Sequence, residues 1–244
     1  MRLKGKVALV TGGAKRVGRV IALGLASQGC RVAITYRTSQ AEASETVRQI
    51  RRKRVGGFPI QVDQRDGPAV RRAVRQVLSR FHRIDILINS ASSFYPTPLG
   101  EATDADWQDL LSTNLAGPWY FAQAVAPIMR RQRSGKIVNI VDTAAFRPWT
   151  NYLPYCAAKG GLVTLTWGLA RALAPHVQVN AIAPGPILFP PGISAREKEQ
   201  AIRRTLLKRA GSPEDILQAV LFFLQGSDYV TGAVLPVDGG RLLA

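Results

Sequence analysis

Cysteine and histidine are scarce, with two of each in 244 residues. Cys30 and Cys156 are too few and too far apart for a disulfide framework or a metal-ligand motif. They fit packing residues in a reducing cytoplasm. His82 and His176 share no constellation with other chemistry-bearing residues and read as structural. No apolar run reaches the ~18 residues that a membrane-spanning helix needs. The N-terminus enters a strand-like run directly, without the apolar core and cleavage site of a secretory signal. Repeats, low-complexity tracts and long linkers are also missing. Acidic residues number 16 against 33 basic ones, leaving a net charge of +17. Most of the excess is arginine dispersed over helical segments, as in Arg71/Arg72/Arg75 and Arg203/Arg204/Arg209. That pattern reads as solvated helix faces, and nucleic acid is not an expected partner. The same charge raises the local concentration of anionic ligands.

What the chain does have is alternation. Short runs rich in Val and Ile are expected as strands at Lys6–Thr11, Arg31–Tyr36, Phe58–Asp63, Asp85–Asn89, Lys136–Val141, Val177–Ala181 and Ala233–Val237. Longer stretches at Val17–Gln28, Ala41–Arg54, Ala69–Phe81, Asp104–Arg133, Pro154–Leu173 and Pro213–Leu224 read as helices. Strands that are apolar throughout are buried on both faces, which implies a parallel sheet between helix layers. The expectation is an α/β fold: one Rossmann-like, doubly wound parallel domain of about seven strands over residues 1–244. Ligands of such sheets sit at the carboxyl ends of the strands. Pro184–Pro213 breaks the rhythm with five prolines and a charged helical patch, Ala195–Lys208. We expect a lid over the substrate at about 186–212.

After the first strand comes Thr11-Gly12-Gly13-Ala14-Lys15-Arg16-Val17-Gly18, at the start of a helix. Glycine lets the backbone approach a ligand, and free N–H groups at a helix start favour phosphate. The second strand ends Tyr36-Arg37-Thr38-Ser39. A site for NAD usually places a carboxylate here, on the ribose hydroxyls. A carboxylate would repel a 2′-phosphate, whereas an arginine fork and two hydroxyls bind one. The expected cofactor is therefore NADP(H).

From here the chain resembles the short-chain dehydrogenases/reductases over nearly its whole length. The glycine-rich loop, Asp63 after strand three, Asp85-Ile86-Leu87-Ile88-Asn89-Ser90-Ala91, Asn114, Tyr155-Cys156-Ala157-Ala158-Lys159, Pro184-Gly185 and Val237-Asp238-Gly239-Gly240 match that family's motifs in order. Three departures resemble its pteridine reductase branch, which includes dihydromonapterin-type reductases. Arg16 stands for the middle loop glycine, Asp142 stands for the serine after strand five, and Ala91-Ser92-Ser93-Phe94-Tyr95-Pro96-Thr97-Pro98 follows strand four. Two smaller departures are Ser90 for a second Asn and Phe189 for a common Thr.

The resemblance implies a cofactor site of Gly12, Arg16, Val17, Gly18, Tyr36, Arg37, Thr38, Ser39, Asp63, Asn89, Ala91, Ser92, Tyr155, Lys159, Pro184, Gly185 and Ile187. It implies catalytic roles for Asp142, Tyr155, Lys159 and Asn114, with Phe94 stacking a pterin against the nicotinamide. Arg16 would reach both the pyrophosphate and the polar edge of the pterin. It also implies a homotetramer built on the two longest central helices.

Tyr155 and Lys159 are spaced i, i+4 and so share a helix face, with Tyr152 on the same face. The lysine ammonium is expected to pull the tyrosine pKa down from ~10. An aspartate beside that tyrosine opposes the effect but can itself carry a proton, which suits reduction of a ring imine. Asp142 and Tyr155 are accordingly expected as a coupled acid pair assisted by Lys159. Arg16, Phe94, Asp142, Tyr152 and Tyr155 are expected around the substrate. Trp107, Trp119, Trp149 and Trp167 are expected in the core or at subunit contacts, with Trp149 near the substrate. The function expected is NADPH-dependent reduction of a pterin ring, dihydropterin to tetrahydropterin. The second reading is a reductase of another carbonyl, such as a 3-oxoacyl thioester, a sugar or a steroid. The third is a non-catalytic sensor of NADPH or a nucleic-acid-associated protein, which an intact Tyr155 and Lys159 disfavour.

Overall fold

The computed structural model describes residues 1–189 and 192–244. Among these, seven strands form one parallel sheet: β1 (Val7–Val10), β2 (Arg31–Tyr36), β3 (Gly57–Gln61), β4 (Ile86–Asn89), β5 (Gly135–Ile140), β6 (Val177–Pro184) and β7 (Val234–Val237). Their spatial order is β3-β2-β1-β4-β5-β6-β7. The order reverses between β1 and β4, which opens a crevice at their carboxyl ends.

Successive side chains of a strand face opposite layers. Ala8, Val10, Val32, Ile34, Ile86 and Ile88 pack with α1 (Arg16–Ser27), α2 (Gln40–Arg52) and α8 (Pro213–Gln225). Val7, Leu9, Ala33, Leu87, Ile137 and Val179 pack with α3 (Gly67–Phe81), α5 (Gly117–Gln132) and α6 (Leu153–Leu173). Both faces of every central strand are therefore covered. That explains why those segments are apolar without alternation.

The long helix expected over Asp104–Arg133 is divided. It runs as α4 (Asp104–Leu111), a π-helical turn over Ser112–Ala116, and then α5. Local chemistry accounts for the break. Pro118 has no N–H to give the carbonyl of Asn114. The Gln64 amide nitrogen donates to the Thr113 carbonyl at 2.6 Å and so removes a second acceptor from the helix ladder. A Cβ on Gly117 would lie 2.7 Å from the Gln64 side chain, so only glycine admits that contact.

The segment expected as a lid leaves β6 after Pro184 and contains α7 (Ala195–Arg203), closed at its start by a Ser194/Glu197 capping box. Pro190 and Pro191, within that expectation, lie outside the described residues. No helix is long and apolar enough to cross a membrane among the described residues. Trp107, Trp119 and Trp167 are exposed, which removes the core from the two places expected for them and leaves subunit contacts. They stand on α4, α5 and α6. Cys30 and Cys156 are buried and free. Burial raises the Cys30 thiol to about 12, as fits a packing residue.

Candidate active site

A cleft of about 980 Å³ runs along the carboxyl edge of β1, β2, β4, β5 and β6. Its walls hold nearly every residue singled out in the sequence. At one end lie Gly12, Arg16, Val17 and Gly18 from the turn after β1, and Tyr36, Arg37, Thr38 and Ser39 after β2. Thr11 ties this turn to the next strand, its hydroxyl accepting from the N–H groups of Ser90 and Ala91 at 2.9 and 3.0 Å. The close approach requires glycine: a Cβ on Gly12 would lie 2.8 Å from the Ala91 Cα. Arg16 takes φ 51°, a left-handed conformation in a position where the family pattern has glycine. Its guanidinium crosses the cleft and donates to the Leu188 carbonyl at 2.8 Å, joining the phosphate-type loop to the segment after β6.

The donor set at the β2 end suits a phosphorylated ribose. Arg37, Thr38 and Ser39 face the cleft and no acidic residue lies between Tyr36 and Gln40. Two nearby carboxylates are already engaged. Glu42 pairs with Lys15 at 2.6 Å. Asp63 lines the cleft, yet both its oxygens accept from the Arg65 guanidinium, at 3.0 Å and 2.5 Å, and that contact holds its pKa below the ordinary range.

At the other end, Asp142 sits just after β5, as the N-cap of a 3₁₀ turn, Thr143–Ala145. One carboxyl oxygen accepts from the Ala144 N–H at 2.8 Å, and the other accepts from the Tyr155 hydroxyl at 2.9 Å. Tyr155 is 5% exposed and Lys159 3%. Burial raises the pKa of Asp142 against the opposing pull of the Ala144 and Tyr155 hydrogen bonds. Burial raises Tyr155 as well, and the adjacent Asp142 charge adds to it. The expected lowering of the tyrosine pKa by Lys159 is thereby corrected, while the expected opposition from Asp142 is found. Lys159 Nζ lies 5.6 Å from the Tyr155 ring centre and donates to the Ile140 carbonyl at 2.9 Å. Burial lowers Lys159 to about 8, with Asp142 opposing. Desolvation outweighs the attraction of a lysine that is not in contact with the phenol oxygen.

Phe94, Trp149, Tyr152 and Tyr155 make an aromatic wall around this pair. Phe94 stacks on Tyr152 with ring centres 4.6 Å apart and planes 2° from parallel. It meets Tyr155 edge-on at 4.9 Å and Trp149 at 6.1 Å. The arrangement follows from the backbone, because Thr97 and Tyr152 form a parallel bridge that clips the 94–98 run to the loop before α6. Phe94 stays 37% exposed, so its outer side faces the cleft.

Two expected residues are not on the cleft wall, and both expectations are corrected in that respect. Asn89 is buried and its amide nitrogen donates to Asn139 at 2.8 Å, binding β4 to β5. Asn114 is buried behind Ser92, accepting from its hydroxyl and donating to the carbonyls of Ser93 and Leu110. Three residues were missed: Gln64, which shapes the π turn, and Arg204 and Arg241, which line the cleft. The position of Arg241 directly after Val237-Asp238-Gly239-Gly240, at a strand's carboxyl end, was the available signal.

A parallel doubly wound sheet with a glycine-rich first turn and a buried Tyr155/Lys159 pair defines an oxidoreductase fold. The chain belongs to the short-chain dehydrogenase/reductase family. Residues 12–241 match the family described as Enoyl-(Acyl carrier protein) reductase. The 3-oxoacyl-[acyl-carrier-protein] reductase FabG of Staphylococcus epidermidis is 36% identical over 98% of this chain and 99% of its own. The structure of a mutant short-chain dehydrogenase/reductase of Serratia marcescens superposes with a TM-score of 0.92 at 33% identity, covering 99% of this chain and 100% of that one. A blue fluorescent protein from a metagenomic library, solved in complex with NADPH, superposes with a TM-score of 0.91 at 34% identity, covering 99% of both chains. NADP(H), the cofactor expected from the sequence, agrees with these comparisons. The pteridine reductase branch does not find the same support, since the Staphylococcus relatives carry the name of a 3-oxoacyl-[acyl-carrier-protein] reductase.

Proposed function

We propose that this chain is an NADPH-dependent reductase whose substrate is a flat heteroaromatic imine of the pterin class. The single observation that carries this reading is the hydrogen bond from Tyr155 to Asp142, inside an aromatic wall. NADPH supplies the hydride, and the protein must supply a proton to the atom that gains electron density. Arg37, Thr38 and Ser39 hold the phosphate end of the cofactor, and Gly12, Val17 and Gly18 let it approach the turn. Pro184, Gly185 and Ile187 border its nicotinamide end.

An acid near the working pH is the efficient donor to a ring nitrogen. Asp142 has the right direction of shift, and Tyr155 keeps its proton while bonded to it. Lys159, lowered to about 8, holds a positive charge near both groups and limits the build-up of negative charge when the proton leaves. Phe94 and Tyr152 offer a flat surface for a flat ring, with Arg16 at its edge. The described parts of the 186–212 segment serve as a lid over the single domain, with Arg16 bonded to the Leu188 carbonyl at its start. Asn114 acts from behind Ser92 as a positioning residue. The enzyme is cytoplasmic and assembles as a homotetramer, in which Trp119 on α5 and Trp167 on α6 become covered.

The second reading, reduction of a 3-oxoacyl thioester, is favoured by the names of the relatives. A simple ketone needs neither a carboxyl group in place of the family's serine nor an aromatic stack. The deciding experiment follows NADPH oxidation at 340 nm with dihydrobiopterin, dihydromonapterin, dihydrofolate and a 3-oxoacyl thioester. Turnover of the pterins, lost in Asp142→Asn and Phe94→Ala, is expected. Turnover of the thioester alone would keep the cofactor and class and replace the substrate.

A further inference from the structure

The cleft carries two arginines that, among the described residues, no carboxylate side chain contacts as an ion pair. Arg204, at the end of α7, and Arg241, after β7, both line it. Their sequence neighbours are treated differently. Arg203 pairs with Glu199 at 2.7 Å, and Arg209 lies 3.8 Å from Asp215. Among the described residues, Arg204 and Arg241 take part in no ion pair with a carboxylate side chain.

The carboxylates within reach are committed elsewhere. Asp238 accepts from the N–H groups of Gly240 and Leu242, both at 2.9 Å, and so shapes the turn that carries Arg241. Glu197 on α7 accepts from Ser194 in the capping box. Asp142 accepts from Tyr155 and Ala144. Arg241 is meanwhile fixed in place. Its guanidinium donates to the Ala201 carbonyl at 3.0 Å and lies 5.8 Å from the Trp149 ring centre. Burial lowers its pKa, the neighbouring charges of Arg204 and Arg147 add to that, and the charges of Asp142 and Asp238 oppose it without reversing it. Three guanidiniums near one another in a partly dehydrated opening repel, and an anion between them removes the repulsion. Trp149 is part of the aromatic wall, so Arg241 lies next to the region proposed for the reacting ring.

We propose that Arg204 and Arg241 form a subsite for a phosphate or carboxylate group on the tail of the substrate. The inference rests on the reductase reading, and it holds whether the reacting group is a pterin ring or a thioester ketone. The two sources of negative charge share one chemistry, an oxyanion bound by arginine forks.

The test compares paired substrates that differ only in the tail. Dihydrobiopterin is the neutral pterin, dihydrofolate carries carboxylates, and dihydroneopterin monophosphate carries a phosphate. Acetoacetyl-N-acetylcysteamine and acetoacetyl-CoA make the corresponding thioester pair. The expected result is a kcat/KM advantage of about tenfold for an anionic member, which is about 1.4 kcal/mol. Arg204→Ala and Arg241→Gln should each remove most of that advantage, and it should shrink as salt is raised. Arg203→Ala, on the same helix but paired with Glu199, should leave it intact. The carboxylate and phosphate arms then say which group the site prefers.

An equal preference for neutral and anionic members in the parent protein overturns the proposal. So does an advantage that survives both arginine variants. If no member of either pair is reduced, the reductase reading fails, and calorimetric titration of the NADPH-loaded protein with dihydrofolate and with CoA decides the subsite separately. Binding weakened about tenfold in Arg204→Ala supports it, and binding that is absent or equal in parent and variant contradicts it.

Discussion

Two aspartates at opposite edges of one sheet show how environment assigns a role. Asp85 stands before β4 at the amino edge and is 0% exposed. It accepts from Lys6 at 3.2 Å, from Arg83 at 2.5 Å and from the Val7 N–H at 2.9 Å. Asp142 stands after β5 at the carboxyl edge, where it accepts from the neutral Tyr155 and the Ala144 N–H. Burial raises both acids. At Asp85 the bonds from Arg83, Val7 and Lys6 overcome it, so the net shift is downward. At Asp142 no cation is in ion-pair contact among the described residues, and the net shift is upward. A carboxylate bonded to two cations holds strands together, whereas one without an ion pair, its pKa raised by burial, is better placed to carry a proton.

The contrast can be broken most severely at Asp142. Asp142→Asn keeps the shape and removes the acid, so kcat for the reduced substrate should fall by about 10²–10⁴. The KM for NADPH should change little, since Asp142 lies at the substrate end. Equal turnover in steady-state assays of parent and variant would remove Asp142 from the chemistry.

Asp85→Ala should act on stability and leave the chemistry alone. Breaking a buried pair costs about 3–5 kcal/mol, and the partial exposure of Lys6 and Arg83 places this case near 3. Calorimetry should show Tm falling by about 6–12 °C in a chain of this size. The kcat of the folded fraction should be unchanged. The sign with pH follows from the lowered pKa. Asp85 stabilises the fold above the ordinary carboxylate range of ~3.9, and this contribution is lost as pH falls through its folded pKa. Acid-unfolding curves of parent and variant should therefore converge at low pH.

Smaller effects sharpen the picture of the carboxyl edge. Arg37→Ala removes a charge-assisted contact of about 1.5–3 kcal/mol and should raise the KM for NADPH about 10- to 100-fold, with NADH unaffected. Phe94→Ala should weaken the flat substrate by about 1 kcal/mol of stacking beyond the lost burial, seen as KM raised more than kcat lowered. A thioester substrate should be nearly indifferent to that change.

Most of the fold was legible in the sequence because strand burial and loop chemistry are local signals. Continuous Val/Ile runs announced a parallel sheet, and β2 came at its expected residues, Arg31–Tyr36. The π turn was not legible, because it depends on Gln64 reaching Thr113 from 49 positions away. The pairing of Asp142 with Tyr155 was legible through the family resemblance, which puts Asp142 in the place of a serine after β5 and Tyr155 at the start of α6. The state of Tyr155 does not follow, since the i, i+4 lysine argued for a lowered pKa and Asp142 argued against it. Only burial and the contacts actually made decide the sign. Arg204 and Arg241 were hidden for a related reason. One looked like any helix-face arginine, and the other gains its meaning from Trp149 and Ala201, which are distant in sequence.

The most direct test titrates both aspartates in one sample, with carbon-13 at the aspartate carboxyl and signals assigned by Asp85→Asn and Asp142→Asn. The account predicts that Asp142 titrates above ~3.9, the value for an unperturbed aspartate, and that Asp85 stays ionised below it until the protein unfolds. An Asp142 signal that titrates at or below that value, or one that titrates below Asp85, would contradict the assignment of the acid.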